Sequence, residues 1–171
     1  MEASETLAAT VGAQARELEQ ALEAVTQHVY RYARFRMMNT QDAEDATMET
    51  IHALRKRPGP FLSADNPIHF AIGVCRRKIA NIARAARITR LFKKPEPDWT
   101  FRSDTHVAVG QTLERLSPEH REVLALKYFH EFSIDEISAL MGRSPAAVNS
   151  LLQRARQAFV EKAPSREVFG C

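Results

Sequence analysis

The segment from Ser133 to Arg156, "SIDEISALMGRSPAAVNSLLQRAR", constrains the fold more than any other part of the chain. Its start has the S-x-x-E spacing of a capping box, with Ser133 and Glu136 at the two ends, which predicts the start of a helix. Gly142 is expected to end that helix, and Ser144, which precedes a proline, predicts the start of a second one. Two short helices joined by a tight turn with a glycine form a helix-turn-helix.

The rest of the chain also follows helical periodicity, and no segment has the alternation of a strand. Further helices are expected from about residue 18 to 38, 40 to 54, 67 to 90 and 117 to 130. "RKRPGPFLSADNP" is predicted to be a loop, and "KKPEPDWTFRSDTHVAVG" a linker, because proline, glycine and polar residues interrupt the period there.

These elements predict an all-α protein with two small helical domains joined by a flexible linker, the C-terminal one being the helix-turn-helix domain. Expected boundaries are 1–17 for an N-terminal extension, 18–92 for the first domain, 93–111 for the linker, 112–162 for the second domain and 163–171 for a tail.

Composition and charge limit the function classes. The chain is 44% hydrophobic and 26% charged, as in soluble globular proteins. Residues 76–94 carry basic and no acidic side chains, which hints at a polyanionic partner. No apolar run predicts membrane insertion, the N-terminus lacks the features of a signal peptide, and two cysteines make no disulfide framework. We therefore expect a cytoplasmic protein.

The second helix of the helix-turn-helix has two different faces. Val148, Leu152, Ala155 and Phe159 are expected in the core. The opposite face is polar, and Ser, Asn and Gln can hydrogen-bond base edges while Arg reaches phosphates or guanine. A structural hairpin with a solvated polar face remains the alternative. The candidate DNA-binding residues are Arg143, Ser144, Ala146, Asn149, Ser150, Gln153 and Arg154.

The segment from Leu113 to Phe159 resembles the C-terminal domain of bacterial sigma factors of the extracytoplasmic-function (ECF) type. That family's pattern is "LxxLPxxxRxVLxLxYxxxxSxxEIAxxLGxSxGTVxSRLxRAR". The resemblance implies that the second helix contacts the minus-thirty-five promoter element in the major groove. Asn149 stands where the family often has lysine, and Leu151 stands where it often has arginine, so the promoter preference is expected to differ. We expect Leu151 to pack in the core.

"DAEDATMET", from Asp42 to Thr50, is similar to the family's "DAEDxxQET". The resemblance implies a helix that binds the core RNA polymerase through Asp42, Glu44, Asp45 and Glu49. An acidic face also suits a basic partner through electrostatic complementarity. A solvated acidic face, and a metal site based on the E-x-x-H spacing of Glu49 and His52, are the other interpretations. No second E-x-x-H supports the metal site, and we expect no metal, cofactor or enzymatic activity.

The helix that follows Pro67 resembles the family's "WLFTIARNLALD" segment, with Phe70 at the tryptophan position and Arg77 in place of the asparagine. The resemblance implies contact with the melted minus-ten strand. Single-stranded DNA is held by a basic groove with aromatic side chains. A solvated basic surface is the alternative. The candidate residues are Asn66, Phe70, Arg76, Arg77, Asn81 and Arg84, with Asn66 proposed to capture an unstacked base.

These features together predict a sigma factor that binds core RNA polymerase, directs promoter recognition and promotes melting of the minus-ten region. The expected partners are core polymerase, promoter DNA and an anti-sigma factor. The alternative function is a helix-turn-helix repressor or activator with an N-terminal helical sensor domain.

Overall fold

The computed structural model describes the backbone of residues 2–37, 39–89 and 104–163, and the side chains of residues 12–37, 39–84 and 109–163. Helices account for the regular structure of these residues, as the sequence predicts. The elements are α1 (Glu2–Met37), α2 (Thr40–Lys56), α3 (Pro58–Leu62), α4 (Pro67–Thr89), α5 (Asp104–Glu114), α6 (Pro118–Leu124), a π-helical turn (Ala125–Phe129), α7 (Ile134–Met141) and α8 (Pro145–Lys162).

The chain divides into two compact units. The first consists of described residues in Met1–Ala33 and Glu44–Ile88, and the second of described residues in Arg34–Ala43 and Thr89–Cys171. The helix α1 contributes residues to both units. The domain boundaries expected from the sequence remain predictions. Residues 93–103 of the expected linker lie outside the described residues, and its residues from 104 to 111 are not irregular, because they form most of the helix α5.

The core of the first unit is formed by one face each of α1, α2 and α4, closed by α3. Cys75 is fully buried there, on the apolar face of α4. The residue pattern explains the packing, since the buried positions recur every three or four residues. The buried side chains include Leu22, Val25, Val29 and Tyr32 from α1, Ala46, Thr50 and Leu54 from α2, Phe61 from α3, and Ala71, Ile72, Cys75 and Ile79 from α4.

Two features of this unit differ from the sequence-based prediction. The first helix begins at Glu2 and not near residue 18, because its early residues are good helix formers without an apolar stripe. The loop predicted after α2 contains the short helix α3, which starts at Pro58. Proline lacks a backbone N–H, and the first turn of a helix needs none, so Pro58 and Pro60 fit there. The buried ring of Phe61 anchors the turn.

The second unit packs α5, α6, α7 and α8 around an apolar centre that includes Leu113, Val123, Leu126, Ile137 and Leu152. The helix predicted from residue 117 to 130 is interrupted, because residues Ala125–Phe129 form a π-helical turn. His130 N donates to Ala125 O at 3.1 Å, five residues back. The wider turn leaves Leu126 buried while Tyr128 and Phe129 are half exposed.

The end of α1 belongs to this second unit through a mostly buried ion pair. Arg36 Nη1 lies 3.3 Å from the carboxylate of Glu122, whose side chain is only 3% exposed, and also donates to Pro118 O at 3.1 Å. Nearby, the rings of Phe35 and Phe129 are 4.6 Å apart. Arg36 therefore supplies a counter-charge to the buried carboxylate of Glu122.

None of the helices in the described part of the chain is long and apolar enough to cross a membrane.

Candidate nucleic-acid interface

Each helix of the helix-turn-helix begins at a capping serine, and a glycine ends the first of them. Ser133 Oγ accepts from Glu136 N at 3.2 Å while the Glu136 carboxylate accepts from Ser133 N at 2.8 Å, which confirms the predicted capping box. Gly142 has φ of 65° and ends α7. A side chain at this position would meet no neighbouring atom, so glycine is favoured here by the positive φ and not by lack of space. Ser144 Oγ accepts from Ala147 N at 3.3 Å and starts α8.

The two faces of α8 separate as the sequence predicts. Val148, Leu152 and Ala155 are buried, and so is Leu151, at 1% exposure. Leu151 therefore packs in the core, which confirms the expectation for this residue. Phe159 is half-buried. The exposed residues of α8 include Ala146, Asn149, Ser150, Gln153, Arg154 and Gln157.

The exposed side chains of α8 differ in whether they already have partners. Ser150 Oγ donates to Ala146 O at 3.0 Å, and Arg154 Nε donates to Ser150 O at 3.3 Å. Within the described part of the chain, the amide groups of Asn149 and Gln153 make no side-chain hydrogen bond. They lie one helical turn apart, and each offers a donor and an acceptor without an intramolecular partner to a molecule that approaches α8.

Two contacts beside this face were not anticipated from the sequence. Arg143, in the turn, is hydrogen-bonded and ion-paired to the carboxylate of Glu119, on the first turn of α6. The guanidinium of Arg156 lies over the ring of Tyr128, 5.6 Å from its centroid. Each partner lies more than 20 residues away in the sequence, so no local pattern could have indicated either contact.

The polar residues of α4 are partly used to build the helix. The side-chain oxygen of Asn66 accepts from His69 N at 3.0 Å, so Asn66 caps α4. Arg84 Nη1 donates to Asn81 Oδ1 at 3.3 Å. Arg77 is exposed, and its side chain has no hydrogen bond or ion pair among the described residues. Arg77 is therefore the most available cation of the described α4 side chains.

Two further candidates on α4 are less exposed. Phe70 is half-buried, and its ring lies 6.3 Å from that of Phe61 between centroids. Arg76 is half-buried and already interacts within the protein. The aromatic and basic candidates therefore lie on one helix but differ in exposure. Arg77 and Arg84 are open to solvent, whereas Phe70 and Arg76 are only partly so.

The acidic residues of α2 lie mostly on its exposed side. Asn39 caps this helix, since its Oδ1 accepts from Asp42 N at 3.1 Å. Asp42 is half-buried, whereas Glu44, Asp45 and Glu49 are exposed. Lys78 Nζ of α4 lies 3.5 Å from Glu49, which the sequence did not indicate.

Two features complete the acidic side of α2. Met48, which stands among the acids, is 69% exposed. Among the side chains that the structure describes, no three His, Cys, Asp or Glu groups come together as metal ligands would. The acidic side of α2 therefore pairs carboxylates with an apolar side chain, which suits a protein partner.

Comparison with known proteins identifies the second unit. Residues 106–159 match the family model described as "Sigma-70, region 4". The ECF RNA polymerase sigma factor BldN of Streptomyces coelicolor is 24% identical over 80% of this chain and 56% of its own length. The ECF sigma factor SigD of Mycobacterium tuberculosis is 28% identical over 82% of this chain and 74% of its own length.

Solved structures show the same fold. The sigma factor RpoE of Bartonella quintana, in complex with the anti-sigma factor NepR, superposes with a TM-score of 0.72 at 19% identity, covering 86% of this chain and 96% of that one. CnrH, in complex with the cytosolic domain of CnrY, gives a TM-score of 0.59 at 22% identity, covering 85% and 86%. Because the region 4 match falls on the helix-turn-helix and the sequence relatives span most of the chain, the chain belongs to the ECF RNA polymerase sigma factors.

Proposed function

We propose that this chain binds core RNA polymerase and directs it to promoter DNA, as a transcription initiation factor and not as an enzyme. The observation that carries the proposal is the fixed turn before α8 together with the open amides of Asn149 and Gln153. A capped helix with polar side chains on one face fits the major groove, where side-chain amides recognise base edges. The family to which the chain belongs acts in promoter recognition.

The upstream contact is assigned to α8. We infer that Asn149 and Gln153 contact base edges in the minus-thirty-five element, because an amide offers the donor and acceptor that suit adenine. Arg143, Ser144, Ser150 and Arg154 would then contact the phosphate backbone beside the groove. All four residues are exposed, so a phosphate can reach them.

The minus-ten contact is assigned to α4, with Arg77 as its main cation. An exposed arginine can pair with a phosphate of the melted strand, and Arg84 extends the basic row by two turns. Asn66 contributes differently from the sequence-based proposal, because its oxygen already caps α4. Its NH₂ group and the second lone pair of its oxygen remain to contact a base, and capture by Asn66 would have to preserve the cap.

The contact with core polymerase is assigned to α2. Glu44, Asp45 and Glu49 are exposed on it, and Met48 adds an apolar side chain between them. Carboxylates around an exposed apolar residue suit a basic partner surface, since complementary charge speeds association and the apolar contact adds affinity. Since core polymerase and promoter DNA are the proposed partners, the chain would act in the bacterial cytoplasm, where both are found.

Regulation by an anti-sigma factor is part of the proposal. The structurally similar RpoE and CnrH were solved in complexes, the first with the anti-sigma factor NepR and the second with a domain of CnrY. The shared fold supports a partner of the same kind for this chain. Co-purification of the tagged chain from its own host, followed by identification of bound proteins, would test this point.

In vitro transcription tests the central proposal. Purified chain is mixed with bacterial core polymerase and genomic DNA, and transcript starts are mapped. The expected result is a set of starts that require the chain and share an upstream element. The double variant Asn149→Ala with Gln153→Ala should lose the shared element but still bind core polymerase. Specific DNA binding without any core-dependent transcription would instead favour a helix-turn-helix repressor or activator.

A further inference from the structure

The ion pair between Glu119 and Arg143 joins the start of α6 to the turn that precedes α8, the helix proposed to enter the major groove. Glu119 is in the first turn of α6, and Arg143 directly precedes the N-cap of α8. Their side chains are 46% and 36% exposed, respectively. The pair is therefore reachable by an approaching polyanion and is not part of the core.

The position of Arg143 brings it close to a phosphate if α8 enters the major groove. The N-terminal end of a recognition helix contacts bases, and the residues just before it lie beside the phosphate backbone. In the described structure one nitrogen of Arg143, Nη2, contacts Glu119. A guanidinium has five N–H donors, so further donors of Arg143 are available to a phosphate that approaches from solvent.

We propose that Glu119 is a positioning residue that tunes DNA affinity by competing with a backbone phosphate for Arg143. The inference rests on the proposed function. The carboxylate and the phosphate carry the same sign of charge and seek the same guanidinium. DNA binding must therefore either displace Glu119 or tolerate its repulsion. Exposed pairs of this kind contribute little to stability, so phosphate can displace the carboxylate.

The competition has a measurable signature in salt dependence. A new arginine–phosphate contact on double-stranded DNA steepens the log–log salt slope by about 0.9. When Arg143 leaves Glu119 to make that contact, the freed carboxylate attracts cations and offsets part of the change. Glu119→Gln removes the offset. The variant should bind duplex DNA about twofold to fivefold more tightly, the scale of an exposed ion pair, and with a steeper slope.

The experiment measures binding of the full chain to random-sequence duplex DNA across a salt series. Random sequence suffices because phosphate contacts carry no sequence information. Glu119→Asp keeps the charge and should behave like the unmodified protein. Glu131→Gln removes another exposed carboxylate of the same unit and is the matched control for net charge. Thermal unfolding of each variant shows that the fold is intact.

The gain from Glu119→Gln should disappear when Arg143→Ala is added, because the proposed effect acts only through Arg143. The proposal is overturned if Glu119→Gln binds as the unmodified protein does, if Glu131→Gln gives the same gain, or if Arg143→Ala leaves binding unchanged. The transcription experiment judges the proposed function separately. If the chain directs transcription from promoters but Glu119→Gln leaves the salt slope unchanged, the role of Glu119 is wrong and the proposed function still stands.

Discussion

The surfaces of α8 and α4 differ in how much of their polar chemistry is already used inside the protein. On α8 the amides of Asn149 and Gln153 make no side-chain hydrogen bond among the described residues. On α4, Asn66 is the helix cap and Asn81 accepts from Arg84. Side-chain amides are therefore left without an intramolecular partner on α8, whereas on α4 they are used within the protein.

The difference between the two surfaces depends on which residues cap the helices. In the helix-turn-helix, serines supply the caps, and these residues stand at helix starts, separate from the exposed face. On α4, an asparagine proposed for base capture also supplies the cap. A polar side chain on a helix is a strong candidate contact only where the fold has left its hydrogen-bonding groups unsatisfied.

The largest expected effect concerns the acidic surface of α2. Reversing two charges with Asp45→Arg and Glu49→Arg should weaken core polymerase binding by at least about a hundredfold, since like charges across an interface cost several kcal/mol. Both residues are exposed, so the fold should survive. Pull-down of core polymerase by the purified variant, with circular dichroism of the same sample, measures both properties.

The matched control reverses two exposed acids on α1, with Glu17→Arg and Glu23→Arg. It changes net charge equally but leaves α2 intact, so it should retain core binding. If the α2 variant is folded and recovers core polymerase as well as the control does, the assignment of the acidic surface is wrong.

The second effect tests the buried side of α8. Leu151→Ala should lower the free energy of unfolding by about 2–5 kcal/mol, because it removes a fully buried leucine from a packed core. Its exposed neighbour Ser150→Ala should change stability by no more than about 0.5 kcal/mol. Urea unfolding followed by circular dichroism measures both. Equal stabilities for the two variants would contradict the division of α8 into two faces.

The sequence predicted the helix-turn-helix well because its determinants are local. Ser133, Gly142 and Ser144 act within four residues of themselves, and all three do what their pattern indicates. The buried and exposed sides of α8 also follow from the helical period. Local signals of this kind are visible in one sequence without knowledge of any tertiary contact.

Other features depended on tertiary contacts and were missed. The π-helical turn at Ala125–Phe129 has no sequence signature that distinguishes it from a continuing α-helix. Lys78 meets Glu49, and Glu119 meets Arg143, only because separate helices pack together. The periodicity of one helix contains no information on which neighbour lies opposite, so neither pairing could have been derived.

The third effect tests the open amides. Asn149→Ala and Gln153→Ala should each cost about 1–3 kcal/mol at one base pair of the upstream element and relax the preference there. Arg154→Ala is the control, since it should weaken all sequences about equally. Selection from a promoter library with a randomised upstream element measures the preference. An unchanged selected sequence with both amide variants would remove their recognition role.

The smallest effect separates the two exposed arginines of α4. Arg77→Ala should lower the salt slope of open-complex formation by about 0.7, the value of one phosphate contact on single-stranded DNA. Arg84→Ala should lower it less, because its guanidinium is directed along the helix to Asn81. Asn81→Ala removes the acceptor that holds Arg84. In that background, Arg84→Ala should therefore lower the salt slope more than it does in the unmodified protein. Permanganate footprinting over a salt series measures the slopes, and identical slopes for all variants would mean that α4 is merely solvated.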